Sequence, residues 1–386
     1  MIDGRSHKHK EDRYNRVAMV TKLYIHNYKA FVDFHIEFGR IVFLMGRNGS
    51  GKSSIVDVLH ALAMVIHDGN IEDFFDAETR FRFGDDADAA QKFRLDVELD
   101  SMRYQYHLEV GYAGRELRPF VIREELRIED TPFHIFEGGT VTVDTGLKLG
   151  AADFDVHRGA LASFGGDRDQ GGRALFKKWA EGFLMLRLIP GAVKSEARKA
   201  ADALDVDGAN FVAWYETVAN DDTLAGETYR RSMQEVIPGL RTINLKALYK
   251  SGKLWEARLE VEGKERGFAL DELSEGQISL AVLYAILHFS MGNGATVALD
   301  EPDNYLALAE IEPFLYALED AAELNRAQVF LISHHPEIYN HWARDPDRAR
   351  YFEQSGGGHF TARTIDWGQY PGLSPAEVVA RGWQDA

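Results

Sequence analysis

The segment from Gly46 to Ser53 is the feature that most restricts the fold of this 386-residue chain. It reads G-R-N-G-S-G-K-S and satisfies the pattern G-x-x-x-x-G-K-[S/T] in full. The apolar run from Ile41 to Met45 precedes it, as is typical of a strand buried on both faces. Apolar residues at helical spacing follow it from Ser53 to His67. This strand, turn and helix predict a phosphate-binding loop rather than a glycine-rich turn whose lysine points into solvent.

Each residue type in this loop has a chemical purpose. Glycines let successive backbone N–H groups turn toward a phosphate, and the N-terminus of the following helix adds positive potential. Lys52 is expected to reach the terminal phosphate oxygens and to act in catalysis, and Ser53 is expected to ligate Mg²⁺. The predicted nucleotide-binding residues of the loop are Gly46, Arg47, Asn48, Gly49, Ser50, Gly51, Lys52, Ser53 and Ser54.

A second apolar strand pattern, Val297 to Leu299, ends in the adjacent carboxylates Asp300 and Glu301. Alone, an apolar strand that ends in acids is common and mostly structural. Together with a phosphate loop it indicates metal-assisted phosphoryl chemistry. We expect Asp300 to hold Mg²⁺, directly or through water, and Glu301 to orient or deprotonate the attacking water.

Composition narrows the class of protein. The chain has 61 acidic and 44 basic residues and a formal charge of −17. Its surface as a whole is therefore not expected to bind DNA nonspecifically, although a local basic groove for DNA remains an alternative. The absence of cysteine excludes a disulfide scaffold, a thiolate zinc site and a cysteine nucleophile. No apolar run approaches the roughly 18 residues of a membrane span, and no secretion signal is visible. We therefore expect a cytoplasmic protein without a membrane partner.

The run from Leu273 to Gln277, Leu-Ser-Glu-Gly-Gln, begins a predicted helix and precedes the acidic strand by one helix. It resembles the signature motif of ABC-type ATPases. The resemblance implies nucleotide contacts by Ser274, Gly276 and Gln277, with Ser274 and the Gly276 N–H contacting the γ-phosphate bound by a second protomer. The implied active unit is a homodimer, or a higher homo-oligomer built from it, with ATP and Mg²⁺ as cofactors.

A strand followed by histidine supports the same resemblance. His334 follows Glu301 by 334 − 301 = 33 residues. In ABC-type ATPases a histidine at this place senses the γ-phosphate, which makes His334 the third predicted catalytic residue beside Lys52 and Glu301. Without the other motifs, a histidine after a strand would be interpreted as an ordinary surface or core residue. Pro302 to Ala307 resemble the D-loop, which crosses the dimer interface in this family.

The opening segment from Asn27 to Phe31 resembles that of RecF, SMC and OLD-like ATPases. The 274 − 52 = 222 residues between Lys52 and Ser274 are more than a transporter cassette needs and far fewer than a long SMC coiled coil requires. Gln91 and Gln170 are both open candidates for the Q-loop glutamine. The chain resembles standalone bacterial AAA family ATPases of the ABC/OLD-like type, several of which resemble ATPase subunits of anti-phage systems.

This resemblance implies an ATP-driven sensor or scaffold that controls a separate effector protein, a nuclease or a toxin, in anti-phage defence. The 51 residues after His335 leave no room for a nuclease domain of the OLD kind, so we expect the effector to be a different chain. The alternative is an ATPase clamp of RecF/SMC type for DNA repair or maintenance, which would bind nucleic acid directly. A third hypothesis is a nucleotide-gated interaction protein without meaningful turnover.

The motifs and their resemblance predict an α/β fold class, a P-loop NTPase of the ABC-ATPase head type. We expect a mixed sheet core, an antiparallel β lobe and a helical insertion between the phosphate loop (Walker A) and the signature motif. The expected division is a flexible arm (1–16), lobe I with Walker A (17–145), a mainly helical insertion (146–240) and lobe II with the signature, Walker B and switch histidine (241–386). Helices are expected from Arg173 to Ile237.

Two surface features have alternative interpretations. Lys194, Arg198 and Lys199 are expected to share one helix, as a DNA-facing stripe or as an ordinary solvated face. The apolar C-terminal tail that includes Trp367 and Val379 is expected to pack on lobe II, with docking of a partner as the alternative.

Overall fold

The computed structural model describes residues 17–81, 90–143, 148–149, 154–163, 171–248, 252–292, 294–354 and 359–385. The expected N-terminal arm and Gln170 lie outside these residues. The strands are β1 (Ala18–His26), β2 (Phe34–Glu37), β3 (Ile41–Gly46), β4 (Gln91–Leu99), β5 (Met102–Ala113), β6 (Arg118–Ile128), β7 (Thr131–Glu137), β8 (Thr140–Val143), β9 (Lys148–Leu149), β10 (Phe183–Leu186), β11 (Glu196–Ala197), β12 (Leu240–Ala247), β13 (Lys253–Val261), β14 (Lys264–Ala269), β15 (Thr296–Asp300), β16 (Gln328–Ile332), β17 (Ala349–Gln354) and β18 (Phe360–Arg363). The α-helices are α1 (Lys52–Asp68), α2 (Gly172–Glu181), α3 (Phe211–Asp221), α4 (Thr223–Val236), α5 (Glu275–Ala285), α6 (Leu308–Leu324), α7 (Pro336–Trp342) and α8 (Pro375–Ala380).

A six-stranded sheet in the order β10-β15-β16-β3-β17-β18 forms the centre of the molecule. Its first five strands are parallel and β18 is antiparallel, so the sheet is mixed, as predicted. Successive side chains of a strand point to opposite faces. Accordingly Val42 and Leu44 of β3 pack into one core, whereas Ile41, Phe43 and Met45 pack into the other.

The first core lies between this sheet and an antiparallel sheet of eight strands in the order β2-β1-β4-β5-β6-β7-β8-β9. Helix α1 contributes Ile55, Leu59 and Leu62 to it, and the antiparallel sheet contributes residues such as Leu23 and Phe93. These positions follow the helical and the two-residue periods seen in the sequence. The antiparallel β lobe is therefore confirmed.

The second core covers the opposite face of the central sheet. Helices α3 to α7 and a smaller antiparallel sheet, β11-β13-β12 with β14 beside β13, contribute to it. The Tyr229 hydroxyl of α4 donates to the Ala281 carbonyl of α5 at 3.1 Å. The C-terminal tail also packs here: the Trp367 indole donates to the Ala343 carbonyl at 2.6 Å, and Val378 is fully buried. Packing of the tail on this lobe was predicted correctly.

A buried glutamine joins the central sheet to the antiparallel lobe. The side chain of Gln328, at the start of β16, donates to the carbonyls of Val20 (2.7 Å) and Gly39 (2.8 Å) and accepts from the Val20 N–H (2.8 Å). An unpaired buried amide would cost about 1 to 3 kcal/mol. Satisfying it this way fixes β1 against β16.

The expectation of helices from Arg173 to Ile237 is wrong in part. The region contains α2, α3 and α4, but Phe183–Leu186 is a strand of the central sheet and pairs in parallel with β15. A four-residue apolar run does not distinguish a buried strand from a helix by its period. Lys194, Arg198 and Lys199 are exposed, and none of them lies in a helix. Among the described residues, no helix is both long and apolar enough to cross a membrane.

Candidate active site

The phosphate loop connects β3 to α1, and its glycines are required by geometry. Gly46 has φ 144°, and a Cβ there would lie 2.6 Å from the Phe352 carbonyl oxygen. Gly51, the N-cap of α1, has φ 92°, and its Cβ would lie 2.7 Å from the Phe31 ring. These are left-handed conformations that side chains rarely adopt. The shape of the loop therefore depends on glycine at these two positions.

Lys52 is the buried cation of the loop. It is 5% exposed, and its Nζ donates to the carbonyls of Gly46 (3.0 Å) and Arg47 (2.9 Å). Burial lowers the pKa of Lys52 to about 8, although Glu301 and Asp300 act in the opposite direction. A bound phosphate would restore the lost solvation of this ammonium group, so the site favours an anionic ligand.

A cavity of about 910 Å³ opens in front of the loop. Asn48, Gly49, Ser50, Gly51, Lys52, Ser53 and Ser54 line one side of it. Glu301 and His334 line it as well, together with lobe I residues that include Lys29 and Arg80. The Ser50 hydroxyl is buried and has no hydrogen-bond partner, which fits an acceptor supplied by a ligand. Gly46 and Arg47 line a neighbouring cavity of about 580 Å³, which His334 also borders.

The two predicted metal ligands lie next to each other. The Ser53 hydroxyl lies 3.4 Å from Oδ1 of Asp300, which is 4% exposed. Oxygen donors of this kind suit Mg²⁺, which is commonly held by one or two protein oxygens together with phosphate oxygens. Among the described residues, no group of three or more His, Cys, Asp or Glu side chains could hold a metal by itself. The donor set therefore fits a metal that is completed by a nucleotide.

Glu301 and His334 face each other at the end of the parallel strands. Nε2 of His334 lies 3.7 Å from Oε1 of Glu301. Oε2 of Glu301 accepts a hydrogen bond from the Asn304 amide at 2.8 Å. Glu301 has φ 52°, and its N–H is held by the Ile332 carbonyl at 2.8 Å. Burial, followed by Lys52, lowers the pKa of His334, so its imidazole is neutral at pH 7.

The signature segment lies apart from this cavity. Ser274 is exposed and caps α5: its hydroxyl accepts from the Gln277 N–H (3.3 Å), and its N–H donates to the Gln277 side chain (3.1 Å). A Cβ on Gly276 would lie 2.9 Å from the Tyr305 carbonyl oxygen, so this position needs glycine. None of Ser274, Gly276 and Gln277 is among the described residues that line the cavity.

Sequence reasoning missed a charged network beside the metal ligands. Nε and Nη2 of Arg187 both lie 2.7 Å from Oδ2 of Asp300, and Nη2 lies 3.0 Å from Asp57. Lys29 also pairs with Asp57, at 2.7 Å. Arg187 directly follows β10, so the interpretation of that segment as helix concealed its position. The Gln91 side chain bonds to Thr79 and Tyr112 and does not line the cavity, which argues against its Q-loop role.

Comparison with solved structures supports the fold. An SMC head bound to the C-winged helix domain of ScpA is similar with a TM-score of 0.55 at 11% identity, over 91% of this chain and 99% of that chain. The SMC head domain from Thermotoga maritima has a TM-score of 0.45 at 17% identity, over 90% and 99% of the two chains. An SMC head with an extended coiled coil, bound to the C-terminal domain of ScpA derived from Pyrococcus furiosus, has a TM-score of 0.48 at 11% identity, over 96% and 99%.

The family match and the fold together support an ABC-type ATPase of the RecF/SMC-like group, as the motifs predicted. Residues 41–340 match the family described as "AAA domain, putative AbiEii toxin, Type IV TA system", and the chain belongs to this family. No curated protein matches the chain significantly.

Proposed function

We propose that two copies of this chain bind ATP and Mg²⁺ head-to-tail in two composite sites, hydrolyse the ATP slowly, and use the cycle to control a separate effector protein in the cytoplasm. One observation carries this proposal. The phosphate-loop side holds Lys52, Glu301 and His334 around one cavity, whereas the exposed Ser274 helix terminus is not among the described residues that line it. A second copy could bring that terminus to the cavity.

Each catalytic residue has a role that follows from its contacts. Lys52 would move from the Gly46 and Arg47 carbonyls to phosphate oxygens, where its charge is better satisfied. Glu301, held by Asn304, would accept a proton from water. Neutral His334 would donate to or accept from the γ-phosphate region beside Glu301.

The metal would be held by Ser53 and Asp300, and it would supply charge neutralisation of the phosphates. The Ser274 terminus would add the positive end of a helix dipole to the same phosphates from the second copy. Gln277 keeps that terminus in shape through the capping box, and Gly276 allows it to approach the D-loop.

Two observations support a separate effector. The family description names a type IV toxin–antitoxin system, and such a system has a second component. A similar structure is that of an SMC head bound to the C-winged helix domain of ScpA, a different protein. We therefore propose a protein partner, a nuclease or a toxin, that is controlled by opening and closing of the ATP-bound dimer, with anti-phage defence as its setting.

Subunit mixing tests the composite site. The variant K52A has no working phosphate loop, and S274D keeps a good helix cap but places negative charge against phosphate. Each variant alone should lack ATPase activity. In a mixed dimer, one of the two sites combines an intact loop with an intact signature, so mixing should restore activity at up to about half the wild-type rate per dimer. Activity that stays absent in verified mixed dimers would contradict the composite site.

Direct DNA binding is the competing function, and the described residues give it no specific support. The expected basic stripe of Lys194, Arg198 and Lys199 does not lie on a helix. DNA affinity that rises with ATP and falls steeply with salt would favour the clamp over the effector switch.

A further inference from the structure

Arg187 contacts one of the two oxygens of the Asp300 carboxylate. Both guanidinium contacts, from Nε and Nη2, go to Oδ2 at 2.7 Å. The other oxygen, Oδ1, faces the Ser53 hydroxyl at 3.4 Å. Asp300 therefore has one oxygen committed to a permanent cation and one directed toward the expected metal position.

Arg187 is anchored from three directions. Its backbone N–H donates to the Val206 carbonyl at 2.7 Å, which fixes the chain as it leaves β10. Its Nη2 reaches Asp57 on α1 at 3.0 Å, and its fork reaches Asp300 at the end of β15. Asp300 is 4% exposed, and a buried carboxylate without a counter-ion is strongly unfavourable. The guanidinium stays charged at all relevant pH values, so it is a constant counter-ion.

Six charged side chains linked to Asp300 balance one another without a metal. Three cations, Lys29, Lys52 and Arg187, lie among three anions, Asp57, Asp300 and Glu301. A divalent cation that approaches Oδ1 of Asp300 therefore meets a carboxylate whose charge is already balanced by a guanidinium on its other side. Repulsion at such distances is substantial in a partly buried site. The phosphates of a nucleotide would supply the missing negative charge.

We propose that Arg187 is a positioning residue that holds Asp300 for metal ligation and, as a resident counter-ion, keeps divalent cations out of the site until a nucleotide arrives. This inference rests on the proposed function, because it takes Ser53 and Asp300 as the metal ligands. It makes metal binding depend on nucleotide binding, so the site does not bind a metal ion in the absence of nucleotide.

Mn²⁺ binding without nucleotide tests the inference directly. Electron paramagnetic resonance measures the free ion, so binding is read without any turnover. Wild type and R187K, which both keep the positive charge, should bind Mn²⁺ weakly. R187Q should bind it about tenfold more tightly or better, and adding D300N to R187Q should abolish the gain. Equal, weak Mn²⁺ binding by R187Q and wild type would overturn the inference.

The same proteins distinguish a failure of this inference from a failure of the proposed function on which it rests. Wild type should bind Mn²⁺ together with ATP, and D300N should weaken that binding. If wild type behaves in this way and R187Q shows no gain without nucleotide, only the inference fails. If wild type binds no Mn²⁺ with ATP, the proposed metal site fails, and the inference fails with it.

R187Q leaves two carboxylates without their shared cation, so its folding is checked by circular dichroism. If R187Q does not fold, R187Q/D57N is compared with D57N, because removing the second carboxylate relieves the repulsion. The double variant should then bind Mn²⁺ about tenfold more tightly than D57N, and equal binding would overturn the inference.

Discussion

The phosphate-loop cavity and the signature terminus are two regions of one chain that differ in how they are built. The cavity depends on contacts between distant segments: Ser53 meets Asp300 across 247 positions, and Glu301 faces His334 from a neighbouring strand. The signature terminus is formed by one helical turn, in which Ser274 and Gln277 satisfy each other. The first region is nearly complete within the chain, whereas the second is an exposed helix terminus. In the proposed dimer, assembly rather than folding would bring the two regions together.

The largest expected effect is on ATP binding in the cavity. K52A should weaken ATP binding more than about a hundredfold, because charge-assisted hydrogen bonds contribute about 1.5 to 3 kcal/mol each and Lys52 would make more than one. Isothermal titration of ATP·Mg²⁺ measures this loss. K199A is the matched control, since Lys199 is exposed and is not among the described residues that line the cavity. Unchanged affinity in K52A would contradict the nucleotide site.

The next effect separates binding from hydrolysis. E301Q should bind ATP normally but hydrolyse it about 10² to 10⁴ times more slowly, because a positioned base contributes roughly this factor. Light scattering with ATP·Mg²⁺ should show a doubled mass that persists in E301Q and decays in wild type. E323Q, an exposed residue at the end of α6, should behave as wild type. A solution mass that does not change with ATP in any variant would show that ATP binding does not bring the cavity and the signature terminus together.

A pH effect should follow from the buried lysine. The pKa of Lys52 is about 8 in the free protein, and a bound phosphate favours the protonated form. Protonated Lys52 is mostly present at pH 7 and mostly absent at pH 9, so ATP affinity should fall about tenfold between these values. Titrations in buffers of different ionisation enthalpy should show proton uptake on binding near pH 8 to 9. Affinity independent of pH across this range would mean that Lys52 is not the group that binds phosphate.

The smallest effect compares two similar helix caps. Ser274 on α5 and Ser374 on α8 both form capping boxes, with Gln277 and Glu377. S274A and S374A should each lower the free energy of unfolding by about 1 kcal/mol, as measured by urea denaturation. Only S274A should also weaken the ATP-dependent dimer of the E301Q background. Equal ATP-dependent dimerisation of both variants would contradict the proposal that the signature terminus lies in the dimer interface.

Three of the six central strands, β3, β15 and β16, could be predicted because they are apolar runs with clear boundaries. The strand Ile41–Gly46 and the helix Lys52–Asp68 both lie within two residues of the sequence expectation. Phe183–Leu186 could not be assigned, because four apolar residues between helices carry no period that separates strand from helix. Its partner β15 lies more than 100 positions away, and that pairing alone makes it a strand.

Local sequence patterns specify the parts of the site that form within a few residues. The positive φ angles of Gly46 and Gly51 and the helix cap at Ser274 are local backbone features, so the motifs predict them.

The side chains that surround those parts are brought there by long-range contacts. Arg187 reaches Asp300 across 113 positions, and Gln328 reaches Val20 across 308. Such contacts depend on the order of strands in a sheet, and no local pattern records that order. The order is set by the packing of both faces of the central sheet, a property of the whole chain.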